Sequence, residues 1–263
     1  MSDPRLAERW RVARSEGRAA LIPYLPAGYP DSETFVAAVT AAGAAGADII
    51  EVGIPFSDPL ADGPVIQRAT HAALQQGTGV RRTLDLIAEA KLAVPVVVMT
   101  YLNPVLAYGV DRFLADARGV GVAGVLLTDL PAGADAALED QVAAGPLAFV
   151  RLIAPTTPPE RVALAARGAS GFLYLISRLG VTGARDLVPL DLPEYVQRVR
   201  AATDLPVAVG FGIATGAQAR DTARLADGVV VGSALVDALG REGVAGVTRL
   251  VRELADGVRG KAA

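Results

Sequence analysis

Short apolar runs rich in β-branched residues alternate along this chain with longer Ala/Leu/Arg segments of helical period. The runs predict strands at residues 20–25, 48–52, 95–100, 124–127, 147–152, 172–176, 206–210 and 228–231. Between them, residues 32–45, 78–92, 110–118, 135–144, 159–167, 192–202 and 215–225 can hold helices, and 243–258 a last one. A further helix over 4–15 precedes the first strand, and QRATHAAL also reads as helix. Strand and helix repeated eight times argue for a parallel sheet. VPVVVMT and DGVVVG have unbroken apolar centres with no alternation, as expected of strands buried on both faces. An open doubly wound sheet is the rival. A chain of 263 residues with eight repeats favours the closed (β/α)8 barrel, one domain spanning 1–263 with an extra N-terminal helix.

Two connections break the rhythm. Residues 53–77, carrying PFSDPLADGP, and 177–191, reading SRLGVTGARDLVPLD, both leave the carboxyl ends of strands. Barrel enzymes keep their sites on that face, so these connections are expected to touch substrate or close over it.

Composition then removes whole classes of chemistry. There are no cysteines, so disulfides, thiolate metal sites and a Cys nucleophile are excluded. The one histidine, His71, lies in a predicted helix and reads as a surface or packing residue, so neither a metal site nor a Ser–His pair is expected. The two lysines are Lys91, before strand 3 on the wrong side of the barrel, and Lys261 in the tail, which removes a Schiff-base mechanism. With 52% apolar residues and a net charge of −3, and no basic stripe, nucleic acid is not an expected partner. No run is long enough to span a membrane and the start is not a signal peptide, so a soluble, cytoplasmic protein is expected. Carboxylates and tyrosines remain for proton transfer.

Glu51 ends the second strand, ADIIEVG. Side chains alternate, so if Ile49 points into the barrel Glu51 does too, at the catalytic mouth. Asp58 and Asp62 follow in SDPLADG, where turn formation is the bland explanation, and spacing does not say which of them joins Glu51. Gly210-Phe211-Gly212 closes strand 7, and Gly232-Ser233 closes strand 8 just before ALVDAL. Glycines at both of these strand ends, with a helix starting after strand 8, are the pattern of a phosphate site built from backbone N–H groups. Gly180 and Gly183 could close over the same phosphate.

The run Glu51-Val52-Gly53-Ile54-Pro55-Phe56-Ser57-Asp58-Pro59-Leu60-Ala61-Asp62-Gly63-Pro64 resembles the signature of the tryptophan synthase alpha chain family. Ala27-Gly28-Tyr29-Pro30, Tyr101-Leu102-Asn103-Pro104, Thr128-Asp129-Leu130-Pro131, Ser177-Arg178 and Gly180-Val181-Thr182-Gly183 extend the likeness over nearly the whole chain. The resemblance implies cleavage of indole-3-glycerol phosphate to indole and glyceraldehyde-3-phosphate. It implies that Glu51 protonates the indole ring carbon C3 and that Asp62 holds the indole N–H. It further implies substrate contacts at Tyr174, Thr182, Gly183, Phe211, Gly212, Gly232 and Ser233, and a beta-subunit face at Pro55, Asp58, Asn103 and Pro104. No metal or cofactor is implied for this chain; pyridoxal phosphate would belong to the beta partner of an alpha2beta2 assembly. Departures fall at Ala132-Gly133-Ala134, where acidic residues are usual, at Phe172 and at Leu179. The alternative is a catalytically silent barrel that serves only as a regulatory or binding partner of a beta subunit.

Overall fold

The computed structural model describes residues 3–176, 191–210 and 212–260. Eight parallel strands close into a barrel in sequential order. They are β1 (Ala20–Pro26), β2 (Ile50–Gly53), β3 (Val96–Thr100), β4 (Val122–Leu127), β5 (Ala148–Ile153), β6 (Leu173–Ile176), β7 (Val207–Gly210) and β8 (Gly228–Val231), each within a few residues of its predicted bounds. The helices among the described residues are α1 (Pro4–Ser15), α2 (Ser32–Ala44), α3 (Pro64–Gln75), α4 (Val80–Ala90), α5 (Leu102–Tyr108) and α6 (Val110–Gly119). They continue with α7 (Ala136–Ala144), α8 (Pro159–Gly168), α9 (Leu192–Arg200), α10 (Gly216–Ala223) and α11 (Ser233–Val258).

Strand alternation sorts the side chains into two shells. Ala20, Ile22, Ile49, Val97, Ala148, Val150, Phe172, Ala208 and Val230 pack inside the barrel. Leu21, Ile50, Val52, Val98 and Val229 face outward against helices. Nearly every position of these strands is buried, which is why the segments read as apolar runs.

The extra helix closes the floor. Leu6, Trp10 and Ala13 of α1 join the interior cluster, and the Trp10 and Phe172 rings lie 5.3 Å apart. Gly228 has no side chain because Trp10 fills that space: a Cβ there would lie 2.7 Å from the indole ring. Asp3 starts α1 by accepting the Arg5 N–H at 2.8 Å. Nearby, Arg18 grips Asp48 through two bonds of 2.7 and 2.9 Å, and Asp48 also accepts the Leu21 N–H. The bottom of the barrel is therefore packed and tied, and the opposite, carboxyl-end mouth is left to carry chemistry.

The connection after β2 is shorter than the sequence suggests. Residues 64–75 are α3, starting on Pro64, so only the stretch before them is loop. Helix α5 was not expected from the sequence. Gly243 breaks α11 with φ 64°, so its first ten residues form a separate segment beginning at Ser233.

Candidate active site

Glu51 and Ile49 share one face of the chain entering β2, and Ile49 is inside the barrel. Glu51 accordingly points into the mouth and is buried. Its Oε1 has no hydrogen-bond partner among the described residues. A buried ionised carboxylate without partners is costly, so the neutral acid is favoured. Burial, and secondarily the charge of Asp62, push the Glu51 carboxyl up to about 8.

The loop after β2 brings Asp62 back over the same mouth. Turn bonds run from the Leu60 N–H to the Asp58 carbonyl and from the Asp62 N–H to the Pro59 carbonyl. The Ala61 N–H donates to the Tyr101 hydroxyl at 2.9 Å, and Gln67 of α3 donates to the Asp62 carbonyl at 2.8 Å. Asp62 is thereby held on both sides, with its carboxyl buried in the cleft. Burial raises the Asp62 carboxyl to about 6, opposed by the Tyr101 hydroxyl, which favours the ionised form. Both carboxyls in the cleft are thus raised, Glu51 further than Asp62, so Asp62 is the first of the two to ionise as pH rises.

Ile66, Met99, Leu152, Ile176, Ile213 and Val230 line the space between them. It is an apolar slot of about 820 Å³, part of it open to solvent, suited to a flat aromatic ring. Tyr24 and Tyr174 form two of its walls. They are related by the register of the barrel: Tyr24 pairs with Glu51, and Tyr174 with Ala208. Each ring leans over a glycine two residues further along the neighbouring strand. A Cβ at Gly53 or Gly210 would lie 2.7 Å from the Cζ of Tyr24 or Tyr174, respectively. Burial holds both phenols well above their usual range, so both stay protonated.

The far end of the slot is polar and built from backbone. Gly212, Gly232, Ser233 and Ala234 line it, and Gly232 is the residue before the first turn of α11. The amides of a helix start have no partner within the helix and carry a partial positive charge, so this end favours an anion. No lysine or arginine is among the described residues of the lining, so an anion here would be held by N–H groups and the helix dipole.

The profile of the family described as tryptophan synthase alpha chain matches residues 11–259. The chain belongs to the tryptophan synthase alpha chain family. It is 47% identical over 258 residues to the tryptophan synthase alpha chain of Gluconacetobacter diazotrophicus, covering 95% of this chain and 94% of that one. The alpha chain of Mycobacterium marinum is 48% identical over 257 residues, covering 97% and 95%. A solved chain of Mycobacterium tuberculosis tryptophan synthase superposes with a TM-score of 0.90 at 46% identity, over 98% of this chain and 99% of that one. The alpha subunit from Legionella pneumophila gives 0.87 at 31% identity, over 99% of each chain.

Within the family frame, the structure brings Glu51, Asp62, Tyr174, Gly212, Gly232 and Ser233 to one cleft. Thr182, Gly183 and Phe211 lie outside the described residues, as do Gly180 and Leu179. The two aspartates separate: Asp62 is buried in the cleft, while Asp58 is exposed and accepts from the Ser57 hydroxyl at 2.5 Å. Asn103 is exposed and Pro104 half-buried on α5. Pro55 departs from expectation. It is buried, because the Ile54 N–H still bonds to the Met99 carbonyl and carries the chain past the strand end before the loop turns outward. His71 is on the exposed side of α3 beside Gln75, and no metal-holding cluster occurs among the described residues. No helix among the described residues is long and apolar enough to cross a membrane. In the segment after β4 that carries Ala132-Gly133-Ala134, Glu139 accepts the N–H groups of Gly133 and Asp135 and pairs with buried Arg151. Sequence reading gave no role to Tyr24, Tyr101 or Thr128. Their place at the carboxyl ends of strands was the available signal.

Proposed function

We propose that this chain cleaves indole-3-glycerol phosphate to indole and glyceraldehyde-3-phosphate. The observation that carries the reading is the meeting of two buried carboxyls, Glu51 and Asp62, at one apolar slot that ends in the backbone of Gly232 and Ser233. The ring lies in the slot with its N–H toward Asp62, and the phosphate lies on the Gly232–Ser233 end. Glu51 delivers its proton to ring carbon C3, and the carboxylate of Asp62 offsets the positive charge that appears at the ring nitrogen. The hydroxyl on the side-chain carbon next to C3 gives its proton to the Glu51 carboxylate left by the first transfer, which restores the acid; the oxygen's electrons form the aldehyde carbonyl, and the carbon–carbon bond breaks. That electron pair returns to the ring, neutralising the nitrogen and leaving indole. Tyr174 walls the ring; Gly212, Gly232 and Ser233 hold the phosphate, and Thr182, Gly183 and Phe211 are assigned to the same substrate.

The outer face of the loop after β2 and of α5 is read as the docking face for a beta subunit. Asp58, Asn103 and Pro104 are on it; Pro55 shapes it from below. Exposed Leu60 and Leu106 supply apolar surface there. In this reading the whole chain is one barrel domain acting in the cytoplasm, within an alpha2beta2 assembly whose pyridoxal phosphate is bound by the partner. Mixing the purified chain with indole-3-glycerol phosphate tests the assignment. Release of indole with an equal amount of glyceraldehyde-3-phosphate supports it. A folded chain that releases none, with or without a beta subunit, would leave a silent binding partner as the better reading.

A further inference from the structure

The loop that carries Asp62 is gripped by a residue from another strand. Tyr101 follows β3 and occupies the position before the first turn of α5. It is 3% exposed. Its ring packs against Phe56 with centroids 5.3 Å apart, and its hydroxyl accepts the Ala61 N–H. That bond uses the oxygen only and leaves the phenolic proton for a second partner, and the Asp62 carboxyl and the Thr128 hydroxyl both lie near enough to hydrogen-bond with this hydroxyl. The Asp62 carboxyl lies within its reach and its ionised form is favoured by it. Tyr101 is itself anchored. The Leu102 N–H next to it donates to Asp129 at 2.7 Å, and the Thr128 hydroxyl beside Asp129 donates to the Thr100 carbonyl at 3.2 Å. The Tyr101 side chain thus ties the loop after β2 to a segment after β3 that is itself bonded to residues after β4.

We propose that Tyr101 is the positioning residue for Asp62, its hydroxyl holding the Ala61 backbone and directing its proton at the Asp62 carboxylate. This rests on the reading of Asp62 given above. A tyrosine kept only for packing would need its ring against Phe56 and not its oxygen, so Tyr101→Phe separates the two roles. The groups facing Asp62 are Glu51 from β2, Tyr24 from β1, Tyr101 after β3 and Tyr174 from β6. Of these, Tyr101 favours the carboxylate, while Glu51 repels it once ionised. Removing the Tyr101 hydroxyl therefore moves the Asp62 titration to higher pH.

The test compares wild type with Tyr101→Phe, using carbon NMR to titrate the Asp62 carboxyl (assigned with Asp62→Asn) and hydrogen exchange to follow the Ala61 amide. The expected result is a higher Asp62 midpoint, faster Ala61 exchange, and kcat lower by about 10–100-fold, as for the loss of a hydrogen bond to a charged group, with KM little changed. The low-pH limb of kcat should move upward as well. An unchanged Asp62 midpoint and unchanged Ala61 exchange in folded Tyr101→Phe would overturn the proposal. The NMR readouts do not depend on turnover, so a wild-type chain that releases no indole refutes the proposed reaction and not the grip. If Tyr101→Phe does not fold, exchange in the wild type decides. An Ala61 amide as fast as that of exposed Ser57 overturns the proposal, and strong protection supports it.

Discussion

Glu51→Gln should lower turnover sharply and stabilise the fold, and the two effects have one cause. The substitution keeps the shape and removes the titrating proton. In the unfolded chain Glu51 ionises at the ordinary value of 4.5; in the cleft it does so at about 8. Between these values the folded state binds more protons than the unfolded one, so the contribution of Glu51 to stability is full below pH 4.5 and is lost progressively as pH rises to about 8. At pH 7 the chain has passed 7 − 4.5 = 2.5 pH units of that window. At about 1.4 kcal/mol per pH unit, the buried acid costs the wild type roughly 3 kcal/mol there. Glutamine has no such cost. The variant should match wild type near pH 4.5 and exceed it by roughly 3 kcal/mol at pH 7, equivalent to about 5–10 °C in Tm for a domain of this size. Urea unfolding at several pH values, or thermal melts, measures the difference. Turnover should fall by about 10²–10⁴-fold, the usual contribution of general acid–base catalysis. Stability curves of wild type and variant that run parallel from pH 4.5 to 8 would show that Glu51 is not perturbed and would refute this reasoning.

The other predictions use the same cleft. Asp62→Asn should keep the fold and lower kcat by roughly 10²–10³-fold, because an amide cannot offset a cationic ring, whereas exposed Asp58→Asn should leave cleavage by the isolated chain nearly intact; kinetics showing the reverse order would exchange their roles. In the reverse direction, indole should condense with glyceraldehyde-3-phosphate far faster than with glyceraldehyde, since phosphate binding at the start of α11 helps position the aldehyde, and equal rates would remove the phosphate site. A beta subunit should raise indole release by at least about tenfold by favouring one arrangement of the loop after β2, in the usual range of allosteric coupling, and a flat titration would contradict that.

The barrel was legible because strands buried on both faces leave apolar runs that survive any loop variation. Glu51 was legible for a related reason: alternation puts it on the face of Ile49, and the closed barrel places Ile49 inside. The choice between Asp58 and Asp62 was not available from spacing, since both sit beside Pro or Gly in turn sequence. It is made in space, by Tyr101 and Gln67 pulling residues 61–62 inward while Asp58 stays in solvent. Helix α5 escaped because Asn103-Pro104 reads as a turn, although proline is tolerated in a first helical turn, where the N–H has no helical partner. Helix α3 was legible over QRATHAAL, but its first turn was hidden in the long connection by the Gly63-Pro64 start, which is itself a helix-opening pair. The burial of Pro55 follows from a single backbone bond to the neighbouring strand, and no local pattern announces such a bond. Tyr24 and Tyr101 gained their places only when the barrel closed and neighbouring strand ends met.

The most direct test of two carboxyls with divided roles is the pH dependence of kcat/KM for indole release from indole-3-glycerol phosphate. With Asp62 required ionised and Glu51 required protonated, the profile should be a bell, rising through about 6 and falling through about 8. A profile that stays level across this range, or one that keeps climbing above pH 8, would contradict the assignment of Glu51 as the proton donor.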